Sequence, residues 1–313
     1  MVTVFTVLNI LGVQRVARVQ NVLTAAKVVV LLSFIALAFT IGNGSSANFS
    51  APATRDSDTP IAAQFGASLI WVYLAYSGWN TATYVAEELK QPSRTLPLAL
   101  GVGTALVAAL YLALNVVFIY ASPLEDMKGK LAVGSFAASR LFGPQIAGVF
   151  SALMAVSLMS TVNAMVTTGP RVYYAMAGNG AFLAAAARVH PRFHTPVAAI
   201  VAQAVCTVIL TLTPFPELVT YIGFTLNIFT VLSVVALIMF RRRPGWQKLG
   251  AVSFCYPLVP VLYILAGLWI TLQGSLVRPY ISLATLVTIV TGAAVYHFKL
   301  KSPPSGRPPV ETY

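Results

Sequence analysis

Charge is what this sequence has least of. Only 9% of its 313 residues are Asp, Glu, Lys or Arg, against about 25% in soluble domains. Acid is scarcer than base, with eight acidic residues to twenty Lys and Arg. Water does not hold a surface this poor in charge, so a soluble globular domain is excluded. Cysteine is scarce too. Cys206 and Cys255 both sit in apolar stretches and are read as two packed thiols, with one disulfide between them still open. Strict alternation of polar and apolar residues is missing, which excludes the roughly ten-residue strands of a membrane barrel. No Gly-rich phosphate loop is present, which argues against ATP-driven transport within this chain. His190 and His194 lie in a loop without the carboxylate or cysteine spacing of a metal site.

What the sequence does have is long apolar runs. Hydrophobic residues make up 58% of the chain, and mean hydropathy is +0.80. Runs of about 20 residues match the thickness of a bilayer core. Only helices and closed barrels satisfy their own backbone in lipid. The reading is an all-α integral membrane protein with about eight full spans and the remnant of a ninth. The spans are placed near 22–41, 61–85, 96–120, 141–168, 196–212, 218–240, 252–272 and 280–298. The fifth is expected to run on towards Met176 and to stop at Asn179-Gly180. Residues 1–21 read as a helix tail and loop, 22–298 as the membrane domain, and 299–313 as a polar, Pro-rich tail without structure.

The net charge of +12 does not point to nucleic acid, because the basic residues sit in short loops between apolar runs. Counting sides by alternation puts Arg55, Lys128, Lys130, Arg140 and Arg278 on one side and the other fifteen Lys and Arg opposite. The richer side is assigned to the cytoplasm, with the C-terminus on it. Lys27 is near enough to the start of its span to snorkel to that interface. Asn43-Gly-Ser45 and Asn48-Phe-Ser50 match the glycosylation pattern and are placed outside.

The third span carries the sharpest signal. It contains Leu74-Ala75-Tyr76-Ser77-Gly78-Trp79-Asn80 and ends in Glu87-Glu88-Leu89-Lys90. Ser-Gly pairs are a known cause of helix breaks. A break in mid-membrane must line a polar cavity, and its helix ends carry partial charge that suits a small ion or zwitterion. The same pair would also serve close helix packing, and the residues alone do not choose between the two.

Ala75, Tyr76, Gly78, Trp79, Asn80, Glu87, Glu88, Lys90, Pro92, Arg94, Leu96 and Pro97 stand in the order of helix six and its exit in another group of proteins. The chain resembles the amino acid–polyamine–organocation (APC) superfamily, closest to its L-type neutral amino acid branch. Two further stretches agree. Arg15 to Lys27 resembles the start of helix five, and Ser160 to Pro196 the end of helix eight and the loop after it. The resemblance implies a five-plus-five inverted-repeat transporter fold, of which this chain supplies part of helix four and helices five to twelve. It implies secondary transport of an amino acid, neutral for preference, by alternating access at the plasma membrane. An inactive fragment or subunit, or a channel, is the alternative. Helices one to three and most of four, with half of the substrate site, are expected to be missing.

On this resemblance Leu74, Tyr76, Ser77, Gly78 and Asn163 are the candidates for the substrate. Leu74 stands where an aromatic gate is common and Ser77 where glycine is usual, which leaves substrate size open. Glu87, Glu88 and Arg94 are candidates for an inner gate. Lys27 is a candidate for coupling, since a lysine on helix five can replace a sodium ion in related permeases. Asn80 is expected to bond the broken backbone or a neighbouring helix. No cofactor is expected. Proton symport, sodium symport and exchange all remain open. The expected partners are the amino acid and membrane lipid, with no nucleic acid.

Overall fold

A computed structural model describes residues 2–11, 13–55, 57–193, 195–246 and 255–300. Among them the regular structure is helical: α1 (Val2–Leu11), α2 (Val13–Thr40), α3 (Ile61–Ala75), α4 (Pro92–Ala121), α5 (Leu124–Met127), α6 (Val133–Phe142), α7 (Pro144–Gly178), α8 (Val197–Leu210), α9 (Phe215–Phe240), α10 (Leu258–Val277) and α11 (Pro279–Val295). Short 3-10 segments lie at Ser46–Ser50 and Ala184–Ala187, and a long one at Trp79–Glu88. A π turn, Tyr296–Leu300, follows α11.

Among the described residues six helices are long and apolar enough to cross a membrane: those at Arg18–Thr40, Pro92–Ala121, Pro144–Gly178, Phe215–Phe240, Leu258–Val277 and Pro279–Phe298. Their most apolar windows are only 6% to 22% buried within the protein. The exposed remainder is Leu, Val, Ile and Phe, as at Leu112, Leu158 and Leu276, and lipid is the solvent that tolerates such faces. The other two expected spans are shorter. α3 has 15 residues because it breaks at Tyr76–Gly78, and α8 has 14, about 21 Å of rise.

Proline supplies much of the punctuation. Pro92, Pro144, Pro216 and Pro279 sit at the first or second position of α4, α7, α9 and α11. There the missing N–H is not needed and the fixed φ is already helical. This moves several boundaries. The fourth span starts at Pro92 rather than Leu96. The fifth starts at Pro144, because Leu141 belongs to α6, which ends at Gly143 with φ +83. The fifth span does run on, to Gly178, and Gly180 takes the left-handed conformation expected of the stop. The polar run at 14–21, read as loop, forms the first turns of α2. The eighth span runs to Val277 from Leu258, and Cys255 precedes it rather than lying within it. Both cysteines are free thiols. The expected tail falls outside the described residues from 301 onward.

The chain divides into two compact units. Unit 1 comprises residues 1–56, 101–175 and 185–205. Its core forms around Phe34, which has no exposed surface and meets Phe118, Phe142 and Phe150 with centroids 6.5, 6.2 and 5.2 Å away. Ala137, Ala138 and Leu141 of α6 fill the space beside it. The segment after α2 is tied down by backbone: Asn43 N–H donates to the Leu141 carbonyl at 2.9 Å, and Ser45 N–H to the Tyr120 carbonyl at 2.9 Å. Gly44 passes so close to the Tyr120 ring that a Cβ would lie 2.2 Å from it. Asn48, one of the two glycosylation matches, already gives its Nδ2 to the Tyr120 carbonyl at 3.0 Å. Glu125 then accepts from Thr54 N and Thr54 Oγ1, each at 3.0 Å, and from Lys128 Nζ at 2.9 Å.

Unit 2 comprises residues 57–100, 176–184 and 206–313. α3, α9 and α10 pack here through small residues, as membrane helices do. Ile70 of α3 fits against Gly223 of α9 and Gly274 of α10, where an added Cβ would come within 2.6 and 2.3 Å of it. Gly267 leaves room for Val231 in the same way, at 2.4 Å. Buried Asn227 donates to the Gly267 carbonyl at 2.9 Å and to Thr271 Oγ1 at 2.8 Å, so the polar groups between these helices answer one another.

Candidate functional site

One candidate site is the break in unit 2. α3 closes with Tyr76 N–H on the Val72 carbonyl and Ser77 N–H on the Leu74 carbonyl, both at 3.0 Å. The Ser77 hydroxyl donates to that same Leu74 carbonyl at 2.7 Å. Gly78 then turns left-handed, φ +99° and ψ −11°. Glycine takes this conformation without steric cost, and it is how α-helices commonly end. The chain resumes as a ten-residue 3-10 segment, Trp79–Glu88, opened by Thr81 N–H on the Gly78 carbonyl at 3.0 Å. Runs longer than three or four residues are uncommon in this form. Gln91, just beyond, is left-handed as well, with φ +53°.

The break is therefore real, and its chemistry is dipolar. The first amides of a helical segment have no partner within it, and the last carbonyls of the preceding one face the same problem. Those two ends meet at Tyr76–Gly78. Leu74, Ser77 and Gly78 are half-buried, and Tyr76 is exposed. Asn80 departs from expectation: its Nδ2 donates to the Tyr84 hydroxyl at 2.6 Å, one turn along its own segment, and not to the broken backbone or another helix.

Unit 1 holds a separate polar cluster. Asn163 of α7 is 1% exposed and donates through Nδ2 to Gln20 Oε1 at 2.9 Å. Its partner is thus Gln20 of α2. Gln20 Nε2 in turn donates to Ser160 Oγ at 3.1 Å, and Thr24 and Ser160 share a hydrogen bond at 3.2 Å. The Oδ1 of Asn163 is buried and has no hydrogen-bond partner among the described residues. Lys27 donates to Thr161 Oγ1 at 3.0 Å. Its ammonium is engaged by α7. Gln20, Thr24, Ser160 and Thr161 were not singled out from sequence. The signal was present, since Gln20, Thr24 and Lys27 fall at i, i+4 and i+7, one face of a helix.

Arg94 is exposed in the first turn of α4, its N–H on the Gln91 carbonyl at 3.0 Å. The side chains of Glu87 and Glu88 lie outside the described residues, as does His194. Among the described residues no group of three or more His, Cys, Asp or Glu gathers to hold a metal.

Residues 1–294 match the amino acid permease family. This chain belongs to that family. The permease is 30% identical over 297 residues to the serine/threonine exchanger SteT of Bacillus subtilis, covering 93% of this chain and 66% of that protein. It is 28% identical over 228 residues to the large neutral amino acids transporter small subunit 2 of Mus musculus, covering 71% and 41%. To the mouse b(0,+)-type amino acid transporter 1 it is 27% identical over 301 residues, covering 94% and 60%. The chain thus spans about two fifths to two thirds of the length of these relatives. Membership places it among multi-pass transporters of the APC superfamily and not in a family of catalytic enzymes.

Proposed function

We propose that this permease carries neutral amino acids across the membrane by alternating access, and that it stands closest to the L-type branch. The observation that carries the reading is the left-handed turn at Gly78 between α3 and the 3-10 segment. Helix ends of this kind offer carbonyls to an ammonium group and amides to a carboxylate. From Ile61 to Ala86 the sequence contains no Asp or Glu, so a cationic side chain meets no counter-charge there. Two of the relatives are named for serine and threonine exchange and for large neutral amino acids, which agrees. In this reading α3 and the 3-10 segment are the halves of helix six in the inverted-repeat fold. Leu74, Tyr76, Ser77, Gly78 and Asn163 serve the substrate. Lys27 serves coupling, whether to H+, to Na+ or by exchange, and Glu87, Glu88 and Arg94 an inner gate. The charge asymmetry of the loops supports a cytoplasmic C-terminus, and the reading sets the permease in the plasma membrane.

Uptake of labelled leucine and alanine tests this. It is measured in vesicles holding this chain, alone and co-expressed with the part of the Bacillus exchanger that the match leaves uncovered. The expected result is saturable uptake that unlabelled leucine competes and lysine or putrescine does not. Competition by lysine or putrescine with none by leucine or alanine reverses the substrate class. No uptake in either setting sinks the reading.

A further inference from the structure

A cavity in unit 2 stands apart from the broken helix. It measures about 630 Å³ and opens where α9 begins, α10 ends and α11 begins. Three apolar spans terminate around it, which puts it at head-group depth rather than in the hydrocarbon centre. Tyr221 and Tyr280 stand on its wall, and amphipathic aromatics favour that depth. The Tyr221 hydroxyl donates to Thr288 Oγ1 of α11 at 2.9 Å, which fixes one wall to another.

Two charged side chains line this cavity, Glu217 and Arg278. Glu217 lies in the first turn of α9, and Arg278 is the only residue between α10 and α11. Among the described residues neither makes an ion pair, with the other or with any third group. Each has an ordinary reason to be where it is, since acid suits a helix start and base a helix end. That reason does not account for one carboxylate and one guanidinium sharing a cavity whose other walls include Leu210, Leu218 and Ile281. A ligand that satisfies all of it carries one cationic group, one anionic group and hydrocarbon. A free amino acid supplies both charges but leaves most of the apolar wall bare, because pockets of about 300–1,000 Å³ take drug-sized ligands.

We propose that this cavity is a binding site for the head group of a zwitterionic glycerophospholipid. The phosphate is held by Arg278, whose planar fork suits it. The ammonium lies on Glu217, and the upper acyl chain runs over Leu218 and Ile281. The site is independent of the substrate site and holds whatever the permease carries.

Native mass spectrometry of the purified chain tests it, with phosphatidylethanolamine and phosphatidylglycerol of identical acyl chains as probes. The wild type should bind phosphatidylethanolamine about tenfold more tightly, since a charge-assisted bond is added. Glu217→Gln should bring the two lipids to near parity by weakening phosphatidylethanolamine alone. Arg278→Gln should weaken both. Equal affinity of the wild type for the two lipids overturns the proposal, whatever the variants do. So does a preference that survives both substitutions. Glycerophosphoethanolamine, the same head group without chains, separates lipid from soluble zwitterion. If it competes as well as the intact lipid, the lipid assignment is wrong.

Discussion

At the scale of single residues, Gly78 carries the sharpest expectation. Holding a residue with a Cβ at φ +99° costs roughly 1–2 kcal/mol relative to glycine. Gly78→Ala therefore favours closing the break, and its methyl group intrudes on the same space. Uptake should fall about tenfold or more, which needs only about 1.4 kcal/mol in the transition state, while surface abundance stays near normal. Normal uptake in both Gly78→Ala and Gly78→Val would remove this residue from the site. Glu125 makes a different prediction. Its hydrogen bond from Lys128, with those from Thr54, holds the carboxyl below the ordinary carboxylate range. A carboxylate lowered in this way contributes fully above its unfolded value, and the contribution is lost as pH falls through the folded one. The protection of residues 51–55 against hydrogen exchange, taken relative to the intrinsic exchange rate at each pH, should therefore fall on acidification below the carboxylate range, and Glu125→Gln should remove that part of the pH dependence. The break at Gly78 was legible because Ser-Gly pairs break helices and the resemblance set this pair in helix six, where the residues alone left close packing equally open. The partner of Asn163 was not, because Gln20 is 143 residues away and nothing local names it.

Among the helices, the long apolar runs were readable, and the proline-opened starts and the register between helices were not. Pro92, Pro144 and Pro279 open helices, where their fixed φ suits the first turn. The short α3 and α8 read as full spans in the sequence because hydropathy sees apolar length and not the point where hydrogen bonding stops. The glycine seams of unit 2 were equally invisible, since a glycine matters there only for what faces it. Gly267→Ala tests one of them. Its Cβ would sit 2.4 Å from Val231 Cγ2, an overpacking that costs about 1–3 kcal/mol. The thermal midpoint in detergent should fall, and Val231→Ala in the same chain should restore much of the loss. A double variant no more stable than Gly267→Ala alone would show that another contact is responsible.

For the whole molecule, composition decided the class before any motif was read, and the family match agrees with it. The count of spans was less secure, because two helices are short by length alone. Orientation rests on loop charge and is open to labelling. Ser122, an obvious choice from sequence, is 2% exposed and donates to Asp126 Oδ2 at 3.2 Å, so it would label poorly. Leu131 is 67% exposed and Ala53 is exposed. With Cys206 and Cys255 replaced by serine, cysteines at Ala53 and Leu131 should react with an impermeant reagent in intact cells, and one at Ser302 only after permeabilisation. Reaction at Ser302 without permeabilisation would invert the topology.

The winding of Trp79–Glu88 is also a store of length. Ten residues in 3-10 form rise about 20 Å, and the same ten as α-helix about 15 Å. Rewinding would draw the ends together by about 5 Å and turn one against the other by a little over half a revolution. The two left-handed residues that bracket the segment, Gly78 and Gln91, are where the chain can absorb that motion as pivots.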